Sequence, residues 1–298
     1  MNIRFFTFSQ FHNKVPVTGS THIRVHQLLK YWPEAKLYTY GENPDVLIFQ
    51  KVYVAQDYQF PVHFENIKIL DLCDPDWLNG VTGIKETIDA VDAVTCSSLG
   101  LVEFVKQMTD KPVIHIADRF DLSPLPRPKR HTATATTVVW FGYRHNAETL
   151  RYAMPLINEL GLKLVVISDD DPMAWQWIPG QAGDDFRHTN YKFLKHHEET
   201  LYTDLQRGDF CILPYGTRPI DPFKSNNKTI RAILAGLPVA HDADQVKSFM
   251  NPGVRRDYME MHYSKTIKEY DVKRSVEEYK ALIERIKEGR HDRASSNR

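Results

Sequence analysis

Lys228 stands in the run KSNNKTIRAILAGLPVA, residues 224–240, directly behind Ser225, Asn226 and Asn227. Ile230, Ile233, Leu234 and Leu237 follow the i, i+3, i+4, i+7 spacing. This predicts a short helix from about Asn227, with one apolar face turned inward and Gly236 ending it. The start of such a helix presents unpaired backbone N–H groups and the positive end of its dipole, and a lysine there adds a full charge. Together they suit an anion such as a phosphate. Ser and Asn are equally favoured as plain N-caps, so the stretch taken alone leaves both readings open. DFCILPYG, just before it, reads as a strand, and in open parallel sheets ligands sit beyond the carboxyl ends of strands.

Other polar clusters offer different chemistry. Asp74-Pro-Asp76 and Asp169-Asp170-Asp171 each follow an apolar run and could carry a divalent cation on paired carboxylates. His22 and His26 fall at i, i+4, and His196-His197-Glu198 forms a cluster, but spacing places no third ligand beside either and His-Glu-x-x-His is absent. The expectation is therefore no metal site. No Gly-x-Ser-x-Gly elbow, Walker lysine loop or Gly-x-Gly-x-x-Gly after the first strand is present, which argues against hydrolase, ATPase and dehydrogenase chemistry.

The elements that must position these residues alternate. NIRFFTF, DVLIFQ, IKILDL, AVTCSS and PVIHIA are apolar runs separated by helical periods such as HIRVHQLLKYW, Ile84 to Val91 and Leu99 to Gln107. That rhythm predicts parallel strands in an α/β layer. It restarts after a Pro-rich, basic connection, with TVVWFGY, a helix through NAETLRYAMPLINELG, KLVVISDDD, a segment around Phe186 to Phe193, a helix at HEETLYTDLQRG, DFCILPY and LPVAHDA. The expected organisation is a first Rossmann-like domain over 1–122, a linker over 123–136, a second Rossmann-like domain over 137–264, and a C-terminal helix with a frayed SSNR tail over 265–298. In that helix Val276, Tyr279, Leu282, Ile283 and Ile286 form the apolar face.

The 298 residues, about twice a common domain length, fit two domains. The 38 basic and 38 acidic residues cancel, so no global field draws in nucleic acid or an anionic membrane, and a polyanion would have to be met locally. Cys73, Cys96 and Cys211 lie far apart in apolar runs and read as reduced core thiols. MNIRFFTFSQ lacks the apolar stretch and cleavage site of a leader, and no apolar run approaches membrane-spanning length, so the expectation is a soluble, cytoplasmic chain with no integral membrane segment.

Several of these stretches resemble the GT-B fold glycosyltransferases that use nucleotide sugars, in particular the retaining group related to sucrose and glycogen synthases. That group writes Lys-x-x-Glu-x-x-x-x-Gly-x-Pro-Val late in its second domain; here stand Lys228, Thr229, Ile230 and Arg231, then Gly236, Leu237, Pro238 and Val239. ILDLCDPDWL, KETIDAVDAVTCSS, IADRFDL, VVWFGYRHNAETL and VTGSTHIRVHQLL are similar to further segments of the pattern, so the resemblance runs loosely from about Gly19 to Val239. It departs at Arg231, where the family's glutamate holds the donor ribose; an arginine cannot accept those hydrogen bonds. In the turn that closes the first domain only Asp121 is kept, with Asp118, Arg119 and Phe120 ahead of it.

The resemblance implies an α/β protein of two Rossmann-like domains facing a cleft, with a C-terminal helix, and transfer of a sugar from a UDP-, GDP- or ADP-sugar to a hydroxyl. The co-substrate is the only cofactor implied, and the transfer would be retaining and metal-independent. Gly142, Arg144, Ser225, Asn226, Asn227, Lys228 and Arg231 would lie on the donor side. Gly19, Ser20, Arg24, Asp74 and Trp77 would lie on the acceptor side. Glycine at 19 permits close approach, while Arg24 reads equally as a solvated helical arginine and Trp77 as core. No catalytic base is assigned. The acceptor is either a glycan or lipid-linked sugar or a hydroxylated DNA base, the latter suggested by Arg127, Lys129 and Arg130. Arg231 also motivates the alternative of an inactive protein that binds nucleotide sugars or glycans on the same fold.

Overall fold

A computed structural model of the chain describes residues 1–54, 63–171 and 189–296. The first part of the Phe186 to Phe193 segment and the last two residues of the tail lie outside the described residues. The chain divides into two compact units: Met1–Leu122 with Arg218–Asn226 and Tyr270–Arg298, and Ser123–Thr217 with Asn227–Glu269.

The first unit is built on β1 (Ile3–Thr7), β2 (Ala35–Leu37), β3 (Val46–Gln50), β4 (Ile67–Leu72), β5 (Ala93–Cys96) and β6 (Val113–His115). They form one parallel sheet in the order β2-β1-β3-β4-β5-β6, with Ile3 opposite Val46 and Val46 opposite Ile67. Successive side chains alternate between faces. Phe5, Ile48 and Ile69 pack on one face with Val25, Leu28 and Trp32. Phe6, Phe49 and Leu70 pack on the other with Ile84, Ile88, Leu101 and Val105. Both faces are covered, which is why these strands read as continuous apolar runs. The helix Val272–Ser296 closes the first face: Val276, Tyr279, Leu282, Ile283 and Ile286 are all buried there. Two ion pairs clamp it, Arg119 to Glu278 and Arg290 to Asp92.

HIRVHQLLKYW does not form one plain α-helix. Gly19–Thr21 is a first turn, His22–His26 is a π-helical turn, and Gln27–Leu29 resumes the α-helix. Wide turns of this kind re-aim side chains inside a helix. Arg24 sits in this one and is buried.

The second unit contains β7 (Thr137–Phe141), β8 (Lys163–Ser168), β9 (Tyr191–Lys195), β10 (Phe210–Ile212) and β11 (Val239–Ala240), all parallel in the order β11-β10-β7-β8-β9. NAETLRYAMPLINELG is broken as well, into a 3-10 stretch Arg144–Tyr152 and an α-helix Met154–Glu159. Pro155 has no N–H to donate and fits only the first turn of a helix, so a new helix starts there. The helix Asn227–Leu234 ends as its period predicts. The Gly236 N–H bonds Ile233 O and the Leu237 N–H bonds Ala232 O, with Gly236 at φ 82°. A Cβ on Gly236 would stand 2.3 Å from Lys129 N, so glycine here also lets the 123–136 segment pass.

That segment is tied into the second unit. Lys129 Nζ donates to the carbonyls of Gln206 and Gly208, and His131 Nε2–H donates to Gly236 O. The buried Arg255 bonds His131 Nδ1 and the carbonyls of Ala133, Phe249 and Met250. All three cysteines are buried; burial pushes the Cys96 thiol up to about 12 and raises Cys73 and Cys211 as well. Among the described residues no helix is long and apolar enough to cross a membrane.

Candidate functional site

In the second sheet the chain proceeds outward in one direction from β7 to β8 and β9, and in the other from β10 to β11. The switch lies between the carboxyl ends of β7 and β10, where open sheets of this kind hold ligands. Gly142 follows β7 with φ 151°, a conformation that favours glycine, and its N–H bonds Ile167 O. A Cβ there would stand 3.5 Å from Lys228 Nζ and 3.4 Å from the Trp140 ring. Lys228 comes from the first turn of the helix Asn227–Leu234, and its ammonium lies 5.7 Å from the Trp140 ring centroid. Its charge also reaches Cys211 on β10, where it opposes the stronger effect of burial on the thiol. A half-buried ammonium, a glycine and a helix start thus meet over the switch point.

Arg144 and Arg231 belong to the same unit and are held differently. The Arg144 backbone N–H donates to Asp169 Oδ1 at 2.6 Å, and its exposed guanidinium reaches Asp170 at 3.3 Å. Solvent-exposed pairs of this kind are weak, so the side chain can be recruited elsewhere. Asp171 accepts from Tyr191 OH, and among the described residues no group of three His, Cys, Asp or Glu stands together as a cation site. Arg231 is buried and forks onto Glu198, with Nη1 to Oε2 at 3.0 Å and Nη2 to Oε1. His196 lies 3.9 Å from Glu198, and burial lowers its pKa.

Ser225 and Asn226, read as one string with Asn227 and Lys228, belong to the first unit. Ser225 Oγ donates to Asp118 Oδ2 at 2.6 Å and Asn226 Nδ2 donates to Tyr270 OH at 3.0 Å. Asp118 also accepts from Arg24, whose Nε and Nη2 fork onto Asp71 at 2.8 and 2.6 Å. Asp71 is fully buried and takes further bonds from Thr95 and Tyr279 hydroxyls. Arg24 is therefore neither solvated nor aimed outward: its donors serve an internal network.

In the first unit Gly19 and Ser20 lie in a turn tied to the end of β3, and Asp74 lies on the loop after β4. Gly19 and Ser20 follow the N-cap Thr18, which bonds Thr21; Thr21 Oγ1 donates to Gln50 Oε1 at 2.9 Å, at the end of β3. The next residue, Lys51, is held at φ 53°, a conformation uncommon for a side chain of this size. Its buried ammonium lies 2.7 Å from Asp74 and 3.3 Å from Asp76, and Tyr53 OH donates to Asp76 at 2.6 Å. Burial raises the Asp76 pKa, while desolvation lowers that of Lys51 and is outweighed by Cys73 and the two aspartates, which raise it. Asp74 is the more exposed carboxylate. Trp77 stacks on Phe104, centroids 5.1 Å apart and planes 9° apart, at the edge of the core. Sequence reasoning passed over Lys51 and Gln50, although a polar pair directly after an all-apolar strand was a usable signal. It saw Glu198 only as part of a histidine cluster.

No protein-family model matches the sequence, and no curated protein matches it. Its fold is shared with solved structures. An alpha-glucosyltransferase in complex with UDP-glucose and DNA containing an abasic site aligns over 95% of this chain and 99% of its own, with 10% identity and a TM-score of 0.66. Anabaena HepE in complex with UDP-glucose aligns over 95% and 100%, with 8% identity and a TM-score of 0.65. TarM aligns over 80% of this chain with 11% identity and a TM-score of 0.57, and this chain spans only 54% of its length. With two parallel α/β sheets and these neighbours, the chain has the GT-B fold.

Proposed function

We propose that this chain is a glycosyltransferase that moves a sugar from a nucleotide-sugar donor to a hydroxyl acceptor. The observation that carries this is the approach of Lys228 to Gly142 over the switch point of the second sheet. As the bond from the sugar's anomeric carbon to the diphosphate oxygen breaks, its electron pair stays on the diphosphate, whose charge grows. Fixed cations and N–H dipoles lower the barrier most when they face that oxygen. Lys228 supplies the charge, the start of the helix Asn227–Leu234 supplies N–H groups, and Gly142 leaves room for the phosphate. Arg144 turns from Asp170 onto the ligand. Glu198 provides the carboxylate that position 231 lacks, held by Arg231, and accepts from the donor ribose.

On this reading the first unit holds the acceptor through Asp74, Gly19 and Ser20. Transfer proceeds with retention and without a metal ion, the departing diphosphate taking the acceptor's proton. A UDP-sugar is the preferred donor, since HepE and the alpha-glucosyltransferase were solved with UDP-glucose. A hydroxylated DNA base is an acceptor to test beside glycans, because one alpha-glucosyltransferase neighbour was solved with DNA containing an HMU base. Arg127 and Arg130 are the exposed members of the basic run, Lys129 being engaged with carbonyls. The experiment is incubation with UDP-, GDP- and ADP-sugars, with and without glycans or HMU-containing DNA, reading nucleoside diphosphate release. Release from one donor, abolished by Lys228→Ala, supports the proposal. Tight binding with no release from any donor would favour the inactive sugar-nucleotide-binding alternative.

A further inference from the structure

Tyr215 lies on the loop that leaves β10 and is 70% exposed. It is nevertheless held flat. The ring stacks on His241 with centroids 4.7 Å apart and planes 15° apart. His241 is itself pinned: Nδ1–H donates to Leu213 O at 2.8 Å, and the His241 backbone N–H donates to Gln245 Oε1 at 2.7 Å. Leu213 N–H bonds Ala240 O, so the stack is anchored to the carboxyl ends of β10 and β11. An aromatic fixed before any ligand arrives loses little freedom on binding, which is where much of the cost of association lies.

Its place in the sheet narrows what such a ring can meet. β10 pairs directly with β7, Cys211 opposite Val139, and β7 runs into Gly142 beside Lys228. Neighbouring strands lie about 4.8 Å apart, so the loop that carries Tyr215 leaves the strand next to the phosphate cradle, while its stacking partner His241 follows β11 on the other side of β10. In a nucleotide sugar the group bonded directly to the terminal phosphate is the sugar ring; the base is separated from it by the ribose and another phosphate. A pyranose carries a face of C–H groups that packs on an aromatic surface, while its hydroxyls stay at the rim. We propose that Tyr215, backed by His241, is the platform for the donor's hexose. This rests on the donor reading above and extends it to the transferred group.

The test is calorimetric titration of UDP, GDP and ADP, each free and as its glucose conjugate, into the intact chain. Wild type, Tyr215→Ala and Tyr215→Phe are compared; both substitutions are at an exposed loop position, and circular dichroism checks that the fold is kept. Tyr215→Ala is expected to weaken the glucose conjugate about five- to tenfold, in keeping with the worth of an aromatic contact, and to leave the free diphosphate within about twofold. Tyr215→Phe is expected to bind both like wild type. Equal weakening of diphosphate and conjugate would assign the ring to the nucleoside and overturn the inference. So would no weakening of either. Failure of the wild type to bind any diphosphate or conjugate would overturn the donor reading itself, a result seen without any variant.

Discussion

The Arg231 guanidinium forks onto the Glu198 carboxylate, Nη1 to Oε2 at 3.0 Å, joining the helix Asn227–Leu234 to the loop that follows β9. The arginine is buried and the glutamate about one-third exposed. Removing one partner of such a pair leaves a charge in a site that has excluded water, which costs more than the intact pair contributes. Glu198→Ala is expected to lower unfolding stability by about 1–3 kcal/mol, below the fully buried range because Glu198 keeps some solvent. Arg231→Met together with Glu198→Met is expected to recover most of that. Urea unfolding of Arg231→Met, Glu198→Met and the double variant closes the cycle, and additive losses would show that the residues are not coupled.

Lys228→Ala removes the ammonium over the β7–β10 switch point. Loss of a preorganised group facing developing charge typically costs on the order of 100- to 1,000-fold in rate, and that is the expected fall in nucleoside diphosphate release. Gly142→Val should act in the same direction through geometry, since its side chain enters the space beside Lys228 Nζ and the φ of 151° disfavours a branched residue. Isothermal titration with the donor and with inorganic pyrophosphate reads both effects. Unchanged pyrophosphate affinity in Lys228→Ala would remove the lysine from the cradle.

Lys51 holds Asp74 and Asp76 from a left-handed backbone conformation. Asparagine tolerates that conformation better than most residues and carries no charge, so Lys51→Asn should keep the chain folded while releasing Asp74. If Asp74 serves the acceptor, turnover with acceptor falls at least tenfold while donor affinity stays within about twofold, and Lys51→Arg restores part of the rate. A parallel loss of donor affinity would place Lys51 in a purely structural role.

His131 gives the fold a pH dependence. Its pKa is lowered from 6.5, first by burial and further by the charge of Arg255, whose Nε donates to its Nδ1. The unfolded chain therefore binds more protons than the folded one below about pH 6.5. The stability this residue contributes is fully present above that value and is lost as the pH falls toward the lower folded pKa. His12, His26, His115 and His196 shift the same way and share the slope. Urea midpoints at pH 7.5, 6.5 and 5.5 should decline for the wild type and decline less for His131→Gln, which does not titrate. An identical decline in both would show that His131 is not among the groups responsible.

Much of the architecture was legible along the chain. The apolar runs became the parallel strands, the 276–286 period became the buried face of the last helix, and Gly236 stops its helix as the period demands. Strand and helix periods are local, set by where successive side chains point. Breaks inside a period were less legible. The wide turn at His22–His26 and the restart at Pro155 depend on what the surrounding core accepts.

The polar residues divide the same way. Residue type and local period alone marked which residues could carry charge or leave room for a ligand: Lys228 at a helix start, Gly142 after a strand, Asp74 at a strand end. Their partners came from the folding of the whole chain. Arg24 meets Asp71 and Asp118 from 47 and 94 positions away and is spent inside the first unit. Ser225 is claimed by Asp118, while Arg231 meets Glu198 across 33 positions. The reason is physical: an element's period follows from backbone geometry alone, but a charge's role depends on which distant loop ends at the same sheet edge.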